Sequence, residues 1–333
     1  MSPRPRALIA MPPAVAALAL PDDLRARLRM VCDVPDLVAD DFTRPEVREA
    51  LEHTEVLISG WGCPAVDAGL LADAPRLSAV LHAAGSVKPV LAPAVWERGI
   101  TVSSAALANA GPVADYTVAA ICLAAKRAFR VAADYRGGHH QDLTLSPRTG
   151  MLDRTVGIVG ASKIGRLVLE RLAGTGVRLL VHDPYLGLDE ATELGAQPVS
   201  LDRLLTGSDI VSLHAPLLPE TRHLLDARAL GLLRDGAVLV NTARGGLVDT
   251  DALLAHCEDG RIDAVLDVTD PEPLPPGHPL LALPNVLVTP HIAGAMGSEV
   301  RLLGEFAVDE AERFAAGKPL LGEVRAEDLP RIA

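Results

Sequence analysis

Aromatic residues are only 3% of this 333-residue chain, so its cores must be built from Val, Leu, Ile and Ala. Basic residues are outnumbered, 31 against 43 acidic, giving a net charge of −12, and no basic run occurs. A nucleic-acid binder normally shows a basic field, so a direct role on DNA or RNA is disfavoured. A small anionic substrate is not excluded, because one buried Arg can hold a carboxylate inside an acidic protein. Cysteine is scarce: Cys32, Cys63, Cys122 and Cys257 lie far apart, with no CxxC or Cys–His spacing. That argues against a disulfide framework and against structural zinc, and makes a reducing cytosol the expected compartment. No metal site is expected. No uncharged apolar run of about 18 residues occurs, so no transmembrane helix is expected either. Ala7–Leu20, behind Arg4 and Arg6, has the outline of a signal peptide, with Ala17-Leu18-Ala19 before a cut. Pro12 and Pro13 interrupt it, and the local pattern favours a short buried strand, Ala7–Ala10, followed by a turn. What is abundant is apolar: 49% hydrophobic against 22% charged residues. Disorder is thereby excluded, and the length suits two domains of ordinary size.

Short apolar runs at Ala7–Ala10, Val56–Ser59, Ala79–His82 and Ile100–Ser103 read as buried strands. Amphipathic helices are expected between them at Pro21–Val31, Pro45–His53, Ala65–Ala72 and Val90–Arg98. Strands alternating with helices imply parallel pairing with helices on both faces. A long helical pattern then runs from Pro112, placed in its first turn, to Tyr135, and Gly137-Gly138 ends it. A second alternation follows, with strands at Thr155–Val159, Arg178–His182, Ile210–Leu213, Ala237–Asn241, Ala264–Val268 and Val286–Thr289. Helices are expected at Lys163–Ala173, at Thr250–Cys257 behind an Asp249 cap, and finally at Ser298–Ala316. The only compositionally biased stretch is the Pro-rich loop Pro271–Pro279. Two α/β domains are the expected organisation.

The strongest local motif is Thr-Val-Gly-Ile-Val-Gly-Ala-Ser-Lys-Ile-Gly, residues 155–165. It reads as strand, tight glycine turn and helix start. Gly160 and Gly165 fit the first and third glycines of a dinucleotide fingerprint, and the helix start after Ser162 would hold a pyrophosphate on backbone N–H groups. Ser162 replaces the middle glycine; it is small, and its hydroxyl can bond a phosphate oxygen. The next strand ends at Asp183, about 20 residues on. A carboxylate there accepts from ribose hydroxyls and repels a 2′-phosphate, favouring NAD over NADP. Arg244, Glu272 and His291 each fall just past a strand end, where ligands gather in open α/β sheets.

Taken together, these segments resemble the D-isomer-specific 2-hydroxyacid dehydrogenase family over nearly the full length. The resemblance is carried by Gly160–Gly165, His182-Asp183-Pro184, Ser212–Leu217, Asn241–Asp249, Asp267–Pro273 and Thr289–Gly294. It implies an α/β fold of two doubly wound parallel-sheet domains, with a Rossmann NAD-binding domain (112–298) inserted in a discontinuous flavodoxin-like substrate domain (1–111 and 299–333). Arg244, Glu272 and His291 would be catalytic. Ser162, Lys163 and Ile164 would lie along the pyrophosphate. His214, Pro216, Thr221, Thr242 and Gly294 would line the cofactor site, and Asp267 would bind the nicotinamide carboxamide. Substrate would sit in a cleft against Gly85, Ser86 and Val87 as well as Arg244 and His291, with domain closure excluding water. That loop departs from the family pattern at Val87 and Pro89, where a second glycine and an Asp are usual.

The implied activity is NAD-dependent interconversion of a small D-2-hydroxy acid and its 2-oxo acid, of the glyoxylate or hydroxypyruvate reductase kind, by a cytoplasmic homodimer. Residues 112 to about 150 would form the dimer contact. Two alternatives share the fold and the three catalytic residues: an NAD-sensing corepressor, and a phosphite-type oxyanion dehydrogenase. The absence of long tails disfavours the former. The chain ends soon after His291, leaving no room for the regulatory domain of many phosphoglycerate dehydrogenases, which argues against serine-pathway regulation. His139-His140 and Cys63 have no ligand partners in local sequence and are expected to be structural, and Lys163 to be largely solvated.

Overall fold

The computed structural model describes residues 4–139, 149–329 and 332. These form two compact units, Met1–Asn109 with Ala295–Ile332, and Ala110–Gly294. Each is an α/β layer structure with its own parallel sheet.

The first unit holds β1 (Ala7–Ala10), β2 (Val56–Ser59), β3 (Ala79–His82) and β4 (Thr101–Ser104), paired in that order and all parallel. Successive side chains in a strand point to opposite faces. Leu8, Leu57, Val80 and Val102 accordingly enter one core, while Ile9, Val56, Ile58 and Leu81 enter the other. Burial on both faces is why the first three of these strands are largely apolar. A further edge is present only as isolated parallel bridges, Arg6–Asp33 and Ile9–Val38, beside β1. Counting it, the strand order is the 2-1-3-4-5 of flavodoxin-like sheets.

The second unit holds β5 (Thr155–Val159), β6 (Arg178–His182), β7 (Ala196–Pro198), β8 (Ile210–Leu213), β9 (Val238–Asn241), β10 (Asp263–Leu266) and β11 (Val286–Val288). Their spatial order, β11-β10-β9-β8-β5-β6-β7, is doubly wound and entirely parallel. The order reverses between β5 and β8, which is where such folds bind dinucleotides. Val159, Leu213, Leu239 and Leu266 fill one face, and Ile158, Val181, Val240 and Val265 the other.

Several sequence expectations need correction. Pro12-Pro13 does not make a turn: Pro13 opens a helix, Pro13–Ala19, in the first turn, where the missing N–H would have had no helical partner. The buried Ala16 and Ala19 seat it against the helix Val300–Ala315. Pro112 is not in a first turn either. It lies inside a helix that already begins at Ala106 and runs to Ala125. The single expected pattern to Tyr135 is two helices, because Arg127 adopts φ 53° before the second, Ala128–Arg136. Strand β7 was not expected, being three residues long and closed by a proline. The intermediate helices Leu188–Glu193, Leu201–Gly207 and Ala227–Gly231 were likewise not singled out.

Ala106–Ala125 is the one helix among the described residues long and apolar enough to cross a membrane. In the fold its Ala114, Ile121 and Ala124 pack into the core with β5, and its Asp115 pairs with Arg171. Burial pushes the Cys32 thiol up to about 11, and those of Cys63 and Cys257 up to about 12, so all three are unreactive packing groups. His140 lies outside the described residues, as does part of the segment expected to make the dimer contact.

Candidate active site

The turn after β5 brings backbone too close for a Cβ at two positions, Gly160 and Gly165. Gly160 has φ 95°, and a Cβ there would meet Ala215 N at 2.5 Å. A Cβ on Gly165 would strike the Gly160 carbonyl oxygen. Ser162 caps the helix Lys163–Leu172, its Oγ accepting from Gly165 N at 3.3 Å. The serine that replaces the middle glycine thus has a local task, satisfying one orphan N–H of the helix start. Lys163 is exposed, while Ile164 is half-buried against the core.

At the end of β6, Asp183 accepts from Ala161 N at 2.7 Å and from Tyr185 N at 2.8 Å. Its carboxylate therefore shapes the glycine turn, and its remaining lone pairs are those available to ribose hydroxyls. Across the switch point His214 is buried; one ring nitrogen bonds Ser212 Oγ at 2.9 Å and Nδ1 has no partner among the described residues. An orphaned polar atom beside a turn whose two glycines leave no room for a Cβ fits a bound dinucleotide. Thr221 Oγ1 donates to Pro216 O and accepts from Leu218 N, so it staples its own loop. Thr242 Oγ1 lies 2.7 Å from Thr117 Oγ1.

Three consecutive strands carry the polar residues. Past β9, Asn241 shapes the turn, donating from Nδ2 to Arg244 O and accepting from Ala243 N. Arg244 is largely buried; its Nη1 donates to Ala243 O, and the rest of its fork has no partner among the described residues. Burial holds this guanidinium below its ordinary value, and the nearby Glu272 carboxylate opposes that shift. A desolvated cation with unspent donors is a seat for an anion. Past β10 stands Glu272, and past β11 His291, with Nδ1 2.6 Å from Glu272 Oε1. That bond leaves Nε2 as the ring's working nitrogen.

His291 has φ 56°, a left-handed conformation uncommon for a side chain of its size, so its turn must be held from outside. Asp267, 1% exposed, does this: Oδ1 accepts from Ile292 N and Thr289 Oγ1, Oδ2 from Ala293 N, and its carbonyl from His291 N. Three of the four lone pairs of the Asp267 carboxylate are thus engaged within the chain, which leaves one for the carboxamide contact the resemblance implies. Gly294 ends this unit. Asn241 and Thr117 were not singled out from sequence. An Asn two residues before the loop N–H it accepts is a turn signal, whereas Thr117 carries none.

In the first unit, at the carboxyl end of β3, Gly85 and Ser86 are half-buried and Val87 is 1% exposed. The Val87 side chain belongs to the core, so only its backbone is left for a ligand. His82, the last residue of β3, braces this loop, with Nδ1 2.9 Å from Ser59 Oγ and a further bond to the Ser86 backbone.

Burial pulls His82 down to about 4 and His214 to about 3. Both fall below the unfolded value of about 6.5, so at lower pH the unfolded chain binds the extra protons. Stability should be flat on this account above pH 6.5 and fall as the pH drops toward 4. At pH 5 each histidine costs about 2 kcal/mol. Urea unfolding at pH 7 and pH 5 checks this, and His82→Gln should remove roughly half of the difference. An unchanged pH dependence in that variant would refute the assignment.

Residues 118–293 match the family model of the D-isomer specific 2-hydroxyacid dehydrogenase NAD-binding domain. The glyoxylate reductase of Aeropyrum pernix is 36% identical over 264 residues, covering 76% of this chain and 78% of that one. The chain belongs to this family. The D-3-phosphoglycerate dehydrogenase of Mycobacterium tuberculosis is 38% identical over 251 residues, 75% of this chain and 47% of that protein. The chain thus spans about half the length of the phosphoglycerate dehydrogenases it matches. Among solved structures, the TT0316 protein of Thermus thermophilus superposes with a TM-score of 0.77 at 34% identity, covering 96% of this chain and 99% of that one. The glycine turn lies inside the segment that matches the family's NAD-binding domain.

Proposed function

We propose that the protein is an NAD-dependent oxidoreductase interconverting a small D-2-hydroxy acid and its 2-oxo acid, with glyoxylate and hydroxypyruvate as the oxo acids. The observation that carries this reading is the buried Arg244 fork with unspent donors, on the strand next to the Glu272–His291 pair. Arg244 binds the substrate carboxylate and polarises the adjacent carbonyl. His291 Nε2 gives its proton to the carbonyl oxygen in reduction and takes it from the hydroxyl in oxidation. Glu272 holds Nδ1–H, fixing the ring's tautomer and direction. NAD(H), when bound, supplies or accepts the hydride at C2. Asp183 makes NAD(H) the preferred form by meeting a 2′-phosphate with its own charge.

Gly85, Ser86 and the Val87 backbone are proposed as further substrate contacts. Lys88 in that loop donates to Ile332 O. A cytoplasmic homodimer acting on a small molecule, with no nucleic acid or membrane, is part of the same reading.

NADH oxidation with glyoxylate, hydroxypyruvate, pyruvate and bulkier 2-oxo acids tests it. Turnover with the first two, strongly preferring NADH to NADPH, is the expected result. His291→Ala should lower kcat by about a thousandfold while still binding NADH. Full turnover by that variant removes His291 from the chemistry. NADH binding without turnover of any oxo acid would point to a sensing corepressor, and oxidation of phosphite to an oxyanion dehydrogenase.

A further inference from the structure

We propose that Tyr116 is a positioning residue which, through Thr289 and Asp267, holds the turn that carries His291. The inference rests on the reading of His291 as the proton donor, and it concerns the turn behind that residue.

The direction of the chain of bonds follows from proton counting. Thr289 Oγ1 donates to Asp267 Oδ1 at 2.7 Å, which uses its only proton. Tyr116 Oη lies 2.8 Å from the same Thr289 oxygen and must therefore be the donor to it. The order is Tyr116 hydroxyl, Thr289 hydroxyl, Asp267 carboxylate. Beyond Asp267 lie the backbone N–H groups of Ile292 and Ala293, each at 2.8 Å, while the Asp267 carbonyl takes that of His291. Three successive N–H groups thus end on one buried aspartate. They define a left-handed turn that the His291 backbone would otherwise avoid.

Tyr116 is half-buried, packed on the core beside the sheet, and burial pushes its hydroxyl pKa up, so the donated proton is kept. Its neighbour Thr117 makes the corresponding link one strand cluster away. Thr117 Oγ1 donates to Val113 O at 2.7 Å, so Thr242, at the end of β9, must donate to it. Adjacent residues of one helix thereby pin the strand ends that carry Arg244 and His291. Rigid elements and a supporting shell of this kind set how well a donor is aimed.

The test combines hydrogen exchange with kinetics on the NADH-bound protein. Tyr116→Phe keeps the ring and removes the donor. It should speed exchange of the Ile292 and Ala293 amides about tenfold and lower kcat about tenfold, with KM for NADH unchanged. Thr289→Val should do the same, Thr289→Ser should restore both readouts, and Tyr116→Phe with Thr289→Val should be no worse than Thr289→Val alone. Unchanged amide exchange in Tyr116→Phe, or additive losses in the pair, overturns the proposal. If the amides respond but no 2-oxo acid is turned over by the unaltered protein, the positioning network stands and the proton-donor reading fails.

Discussion

Arg244→Lys should lower kcat/KM for the 2-oxo acid by about a thousandfold, roughly 4 kcal/mol of transition-state stabilisation, and leave NADH affinity within about threefold. The substitution keeps the charge, so the size of the effect reports geometry. A guanidinium presents parallel N–H groups that engage a carboxylate and the carbonyl beside it at once; an ammonium is a point donor on a flexible stem. The site also amplifies the difference. Arg244 is largely buried with one backbone partner, so a lysine there would be desolvated without the fork that compensates. Steady-state kinetics and NADH titration measure both quantities. A loss under tenfold would mean that Arg244 does not grip the substrate.

Gly165→Ala should abolish NADH binding, with affinity falling at least about a hundredfold, or about 2.7 kcal/mol. The added methyl would sit against the Gly160 carbonyl oxygen, inside any permitted contact, and 3.2 Å from His214 Cβ. Neither neighbour can yield cheaply. The carbonyl belongs to a backbone held at φ 95°, and His214 is packed in the interior. The helix must therefore move off the strand, taking with it the N–H groups that face a pyrophosphate. Fluorescence titration with NADH, alongside circular dichroism to establish that the fold survives, is the measurement. Binding within fivefold of the unaltered protein would show that this turn does not carry the cofactor.

The sequence revealed most where one physical cause acts locally. Strands such as Val56–Ser59 and Ile210–Leu213 are buried on both faces, so a short run with three apolar residues in four suffices to mark them. The glycine turn was legible because Gly160 and Gly165 are needed by backbone geometry alone. Proline was the poorer guide: Pro13 starts a helix and Pro112 sits inside one, and nothing beside either residue distinguishes these uses from a break. The edge at Val38 was missed because it makes single bridges, too few to impose a pattern. Within the site, the strand-end positions of Arg244, Glu272 and His291 were readable, but their roles came from the family resemblance. Ser162 as a helix cap followed a local rule that the phosphate reading obscured. The Tyr116–Thr289 bond spans 173 residues of sequence and leaves no local trace. Contacts of that kind exist only once the sheet has assembled.

The division into two units has a spectroscopic consequence. Both tryptophans, Trp61 and Trp96, belong to the first unit, and all three tyrosines, Tyr116, Tyr135 and Tyr185, to the second. Each body therefore carries its own chromophore. Emission excited near 295 nm, a wavelength tyrosine scarcely absorbs, reports the first unit alone, and the tyrosine signal, resolved from the overlapping tryptophan band by second-derivative absorbance, reports the second. The protein arrives already labelled, so the order in which its two halves lose structure can be followed without introducing a dye or a mutation.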